Sequence, residues 1–398
     1  MRSFHVPAIR CQRHSQLDSG STHSMLISLL RGLAALQVAA AHLRAEVFPG
    51  LRELGDPPLA YQLLAFCTAF AHQAVVVFFL ISGWLVGGSL LDKFGQPGAL
   101  RNYAIDRATR LWTVLVPALL LMLAIGAIVG AVDPARADLS AANDYSIASF
   151  AGNLAGLQTV LVEPYAGNYA LWSLSNETWY YVQFPLLLLA FAAGTRAGRL
   201  AAATALVAIA AALPFPITLY FALWLLGAAF SRIRIDCGMA TRGLLLVLAV
   251  GIPVVFRLRG SGDDLAPASF FLHLAYGLPL LALLSSLQMP YAEHGTAGRL
   301  LARGAHWLAE MSFTLYVLHI PLIALLRHLG RQAIGRDRLS PYAAADYAVY
   351  AGLLAAIVAL SWLCYLLFEA RTFRIRRAVK GLFRQAPQRR RTVPATSK

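Results

Sequence analysis

Arg31 and His42 lie eleven residues apart within Leu26–Leu43, a stretch built almost wholly of Leu, Ile, Ala, Val and Gly. At about 100° per residue, eleven residues return to within roughly 20° of the same helix face, about 16 Å further along the axis. A guanidinium and an imidazole therefore share one stripe of a helix that reads as membrane-embedded. Ionisable groups at that depth cost roughly 2.5–3.5 kcal/mol on insertion scales, so they need partners and mark function. Glu177, in Trp172-Ser173-Leu174-Ser175-Asn176-Glu177, and His319, in Ser312-Phe313-Thr314-Leu315-Tyr316-Val317-Leu318-His319, fall at a depth matching His42 once the spans are placed. A histidine beside a carboxylate makes a general base, because the carboxylate fixes the tautomer and stabilises the imidazolium. Each such group alone is as easily a tie between helices. Three at one depth, with Arg31 beneath them, favour chemistry.

A second cluster stands at the other depth. Arg107 and Arg110 are spaced i, i+3, so both point the same way from one helix. Paired guanidiniums suit phosphate groups, to which they donate planar, bidentate hydrogen bonds; they are also ordinary topology determinants at the end of a span. Ser82-Gly83-Trp84 follows the apolar run Val75–Ile81. There Gly83 permits close helix approach and Ser82 can bond across it, with packing as the default role and catalytic positioning as the alternative.

The elements that must position these residues are membrane helices. The chain has 398 residues, 58% hydrophobic and only 13% charged, against about 25% charged in soluble domains. Its mean hydropathy is +0.61. With about 20 apolar residues needed per crossing, ten spans are expected, at 25–44, 66–91, 110–132, 174–193, 198–213, 215–231, 242–257, 268–287, 307–328 and 346–368. The fold class expected is thus all-α, a polytopic membrane bundle of about ten transmembrane helices. A weak segment at 147–162 is interfacial or re-entrant, or else an eleventh span that inverts the topology of the later helices. Arginine-rich loops at alternating positions place both termini in the cytoplasm by the positive-inside rule. One loop disagrees, since Arg327, Arg331, Arg336 and Arg338 fall on the other side. Residues 133–173 read as an extracytoplasmic loop capping the bundle.

The chain thus divides into three segments: a short disordered cytoplasmic extension over 1–23, a membrane domain over 24–370 and a basic cytoplasmic tail over 371–398. The net charge of +15 lies mostly beside spans, so the tail reads as an anchor on anionic membrane lipid and not as a nucleic-acid site. Cys11, Cys67, Cys237 and Cys364 show no metal-ligand spacing, and no metal or disulfide is expected.

In order along the chain, these pieces resemble the acyltransferase 3 family of bacterial integral membrane acyltransferases. The matching residues are Arg31 and His42, Phe78-Phe79-Leu80-Ile81-Ser82-Gly83-Trp84, and Arg107-Ala108-Thr109-Arg110. Further along come Trp172-Ser173-Leu174 with Glu177, Tyr180, Tyr181 and Pro185, then Ser312–Tyr316 with His319 and Pro321. The resemblance runs from about residue 25 to 370. Ala74-Val75 stands where Gly-Val is common, Trp84 where Phe is commoner, and Glu369 lacks a following Pro. The resemblance implies transfer of an acyl group, often acetyl, from cytoplasmic acyl-CoA to a hydroxyl of an extracytoplasmic or lipid-linked carbohydrate at the plasma membrane. It also implies His42 as catalytic base, Arg31 essential beside it, and Arg107 and Arg110 on the donor's phosphates. In that picture Glu177 or His319 orients His42, and Arg31 or Ser82 meets the developing oxyanion. The rival expectation is a proton-coupled exporter of a glycan or small anion, with His42, Glu177 and His319 as the relay.

Overall fold

In the computed structural model, residues 8–15, 21–132, 144–260, 265–289, 295–336 and 338–384 are described. Most of them are helical. The first helix, α1 (Thr22–Val47), starts where the Ser21 side chain accepts from the Ser24 N–H, satisfying one of the orphan donors of its first turn. Next come α2 (Leu59–Cys67), α3 (Ala71–Ser82) and α4 (Gly88–Lys93), the last two joined through a π-helical turn over Gly83–Gly87 into one rod. Beyond them run α5 (Ala99–Ile128), α6 (Ile147–Leu154), α7 (Trp172–Ala192), α8 (Arg196–Ala212) and α9 (Phe215–Phe230). The set closes with α10 (Met239–Leu258), α11 (Phe270–Ser286), α12 (Gly295–Ile334), α13 (Ala344–Leu367) and α14 (Thr372–Arg384).

Among the described residues, seven helical stretches are long and apolar enough to cross a membrane: 22–53, 59–93, 99–128, 239–258, 267–286, 298–333 and 344–383. Helices also form at the other three expected spans. However, α8 and α9 have only 17 and 16 residues, and the polar first turns of α7, around Asn176 and Glu177, lower its hydropathy. The protein is a multi-pass membrane helix bundle, and seven of the ten expected spans meet the length and hydropathy that a crossing requires. The segment at 147–162 does not span. Its helix α6 has eight residues, about 12 Å long, and a turn follows it.

The core lies where α1, α3, α5, α7, α9, α11 and α12 meet, around Val38, Leu80, Leu119, Tyr180, Trp224, Leu281, Leu284, Leu315 and Val317. By contrast α10 buries only Pro253 and exposes Leu244, Leu246, Val247 and Val250. It packs on α11 through one side, and the apolar face that its own chain leaves uncovered has its neighbours in lipid. The helices α1 and α12 run parallel, with Gly32 against Leu308 near one end and Glu46 paired to Arg327 near the other.

The tightest crossing is that of α3 with α9. A Cβ on Gly83 would stand 1.9 Å from the Trp224 carbonyl oxygen, and one on Gly227 2.0 Å from that of Leu80. Only glycine on both sides permits this approach, which is the role Gly83 suggests from sequence.

One expectation is corrected here. The segment 1–23 is not wholly disordered, although the fold among the described residues is helical with almost no strand. Ala8–Cys11 forms a strand, β1, paired antiparallel with β2 (Ile233–Asp236), Ala8 opposite Asp236 and Cys11 opposite Ile233. The backbone after α9 supplies unpaired N–H and C=O groups, and charge fixes the docking. Arg10 pairs with Asp236 at 3.0 Å, while Asp92 accepts from the Ser15 N–H at 3.0 Å and Oγ at 2.6 Å and pairs with Arg232 at 2.9 Å. Part of the basic tail is also ordered, as α14; Arg389, Arg390 and Arg391 lie outside the described residues.

Three of the four arginines that disagree with the charge rule are held by carboxylates. Arg327 pairs with Glu46, Arg338 with Glu53 at 3.0 Å, and Arg336 binds Asp346 through both Nη atoms at 3.1 and 3.0 Å.

Candidate active site

Polar side chains converge from α1, α3, α5, α7, α12 and the Glu369–Arg371 turn on one cavity of about 560 Å³. Its lining includes Arg31, Ser82, Arg107, Arg110, Glu177 and Glu369, so five of the seven residues singled out from sequence meet in one space. The deep wall carries a hydrogen-bonded cluster. Glu177 Oε1 accepts from the Ser82 hydroxyl and from the Tyr181 hydroxyl, both at 2.5 Å, and Trp224 Nε1–H donates to Ser82 Oγ at 3.1 Å. Ser82 is the last residue before the π-helical turn, a distortion often found at functional sites. Because Gly83 locks α3 onto α9 beside Trp224, the crossing itself sets where the Ser82 hydroxyl stands.

The two arginines on α5 share a face but not an environment. Arg110 pairs with Glu369, whose other oxygen accepts from Thr314 Oγ1 at 2.5 Å and from the Thr314 N–H at 3.3 Å. Glu369 is buried, and the guanidinium of Arg110 also lies 5.3 Å from the centre of the Phe313 ring. Arg107 stands 5.7 Å over the Tyr181 ring, and its buried Nε has no hydrogen-bond partner among the described residues. Of the pair, Arg107 keeps an unpartnered Nε–H, whereas Arg110 is committed to a carboxylate. Arg31, from α1, is lightly tethered, with Nη2 donating to Ser312 Oγ at 3.3 Å.

His42 and His319 do not line this cavity. They form a separate pair. His42 Nδ1 lies 2.8 Å from His319 Nε2, and His319 Nδ1 lies 2.6 Å from the Tyr316 carbonyl oxygen. A carbonyl only accepts, so His319 carries its proton on Nδ1. In the neutral pair His319 Nε2 then accepts from His42 Nδ1–H, and the lone pair of His42 is left on Nε2. This assignment follows from the hydrogen-bond pattern. His319 is fully buried, His42 is half-buried, and the Tyr169 ring meets His42 edge-on at 5.1 Å. Of the two partners expected for His42, Glu177 or His319, it is His319 that meets it; the hydrogen bonds of Glu177 go to Ser82 and Tyr181.

Tyr316 joins the two halves. Its ring lines the cavity, meets Phe78 edge-on at 5.8 Å and lies 5.8 Å from His319. Its hydroxyl accepts from Ser173 Oγ at 2.6 Å and donates to the Ala170 carbonyl at 3.0 Å. Arg31 and His42 do occupy one stripe, since both face α12, at Ser312 and at His319. Ser312 and His319 are themselves seven residues apart, two turns of the same face.

Sequence reading passed over Trp224, Tyr181 and Glu369 as site residues. Tyr181 carried a usable signal at i+4 from Glu177. Trp224 and Glu369 reach the site only through tertiary packing, 142 and 259 residues from their partners Ser82 and Arg110.

A buried basic cavity beside a paired histidine base, inside a membrane bundle, has the components of a membrane-embedded group-transfer enzyme. A family model described as an acyltransferase domain matches residues 26–366. The chain belongs to the acyltransferase 3 family and is a membrane acyltransferase. Neither a curated protein nor a solved structure matches it.

Proposed function

We propose that this acyltransferase moves an acyl group, acetyl in the simplest case, from acyl-CoA to a hydroxyl of a cell-surface, lipid-linked or secreted carbohydrate at the plasma membrane. The observation that carries this reading is the two-part site. Arg107, with an unpartnered buried Nε, opens into a cavity large enough for part of a CoA arm, and a histidine with its lone pair on Nε2 lies beyond the cavity wall.

In this reading Arg107 receives the donor's phosphates, Arg110 beside it being held by Glu369, and the pantetheine arm runs along the cavity toward Ser82 and Tyr316. The acceptor hydroxyl reaches His42 from the opposite side. Its oxygen attacks the thioester carbonyl carbon as its proton passes to His42 Nε2; the C–S bond then breaks and the thiolate leaves, taking the proton back. His319 holds His42 in the required tautomer. Arg31 or Ser82 meets the oxyanion. The donor and acceptor halves are separated by Tyr316 and Phe78, so transfer requires those rings to move. With α7, α8 and α9 crossing beside the seven longer stretches, loop charges support both termini on the cytoplasmic side, with the arginine end of the cavity facing the donor.

The test uses membranes, labelled acetyl-CoA and surface glycans. Label should appear on the glycan with the wild-type protein and stay on CoA with His42→Ala. Wild-type membranes that leave all label on CoA, or a His42→Ala protein that transfers at the normal rate, overturn the reading.

A further inference from the structure

The closing helix α14 has two faces of different character. Thr372 is buried and its hydroxyl donates to the Glu369 carbonyl at 2.6 Å, starting the helix off the turn that carries Glu369. One face is tied to α5: Arg376 lies 3.3 Å and Lys380 2.6 Å from the same Asp106 oxygen. The other face is bare. Ile375, Ala378 and Leu382, at spacings of three and four, form one exposed stripe, and Phe383 is exposed beside it. Arg374 and Arg377 flank the stripe, also exposed, and Arg377 lies 4.7 Å over the Phe373 ring.

The position of this helix limits what can cover it. It comes at once after α13, which ends at Leu367, so it leaves the bundle at the level of one membrane surface. An apolar stripe with cationic flanks at that level is complementary to a bilayer whose headgroups are anionic: methylenes for the stripe, phosphates for the arginines. One carboxylate, Asp106, serves two cations, so the helix keeps a surplus of positive charge for the lipid. The same helix also lines the cavity through Thr372, Phe373 and Arg376.

We propose that α14 is an interfacial helix that seats on anionic lipid, and that this seating holds one wall of the arginine-lined cavity in place. The lipid surface stands on the geometry of α14 alone; the link to turnover rests on the acyltransferase reading above. Lipid headgroup composition then governs how well the cavity takes its donor.

The test places an environment-sensitive fluorophore on Leu382→Cys in the full-length protein, with Cys11, Cys67, Cys237 and Cys364 each changed to Ser. The protein is reconstituted in phosphatidylcholine vesicles with or without phosphatidylglycerol. With phosphatidylglycerol, emission should shift to the blue, brominated acyl chains should quench it, and aqueous iodide should lose access. Phosphatidylcholine alone, or Arg374→Gln/Arg377→Gln in the mixed vesicles, should restore iodide access. Full iodide quenching in the mixed vesicles overturns the proposal, and so does equal protection in both lipids. Protection seen only in native membranes overturns it too, assigning the stripe to a protein partner. For the link to turnover, Leu382→Asp should raise the acetyl-CoA KM severalfold in mixed vesicles with little change in kcat; an unchanged KM removes that link. If no acyl transfer is found at all, the fluorescence still decides the lipid surface, and only the acyltransferase reading fails.

Discussion

His42 Nδ1 lies 2.8 Å from His319 Nε2, and the Tyr316 carbonyl decides which ring is the donor. In the proposed mechanism a pair of histidines takes the place of the usual histidine and carboxylate, without a negative charge beside the base. His319→Ala removes the acceptor for His42 Nδ1–H and frees the other tautomer. Transfer should fall by about 10²–10⁴-fold, the usual worth of a positioned base, with the donor KM unchanged. His319→Gln, which keeps an acceptor, should lose less. Single-turnover rates with labelled acetyl-CoA decide it; equal losses for Ala and Gln argue against the tautomer role.

The two arginines of α5 should separate cleanly. Arg107→Ala should raise the donor KM and leave folding yield near normal, because its Nε has no partner to lose. Arg110→Ala strands the buried Glu369 carboxylate and should cost about 3 kcal/mol or more of stability. Adding Glu369→Gln to Arg110→Ala should recover part of that loss. Thermal unfolding in detergent and donor titrations of the four proteins provide the comparison.

At the α3–α9 crossing, Gly83→Ala and Gly227→Ala both force a Cβ into a backbone carbonyl. Each should destabilise by about 1–3 kcal/mol, as overpacking does. If either melts like the wild type, the contact is looser than the structure has it.

Glu177 is held by two hydroxyls on one oxygen. Glu177→Ala leaves Ser82 and Tyr181 without that acceptor and should lower stability by about 1–3 kcal/mol as well as transfer. Tyr181→Phe, which leaves the Ser82 bond in place, should be far milder. A Tyr181→Phe protein as impaired as Glu177→Ala shows that the tyrosine hydroxyl has a role of its own.

Much of this bundle was legible because hydropathy reports burial in lipid. All ten expected spans contain helix. Their ends were less legible: α5 begins at Ala99 and α12 at Gly295, each about three turns before the apolar run, since Arg101 and Arg107 or Arg299 and Arg303 are helical but not hydrophobic. The strand at Ala8–Cys11 was invisible, because its partner lies more than 220 residues away and its only local mark is a short polar–apolar alternation. At the site, helical periodicity put Arg31 and His42 on one face and Arg107 and Arg110 on another. It could not tell that Glu369 takes Arg110, nor that Tyr316 stands between cavity and histidines. Those facts depend on how helices cross, which hydropathy does not encode.

The glycine contact between α3 and α9 has a mechanical consequence. Backbone against carbonyl leaves no slack there, so Ser82 and Trp224 ride on a rigid stator. On the acyl-CoA reading, a donor must still get in and its thiol must still get out. The compliance for that comes from the opposite wall, where α14 is fastened to α5 through the single carboxylate of Asp106.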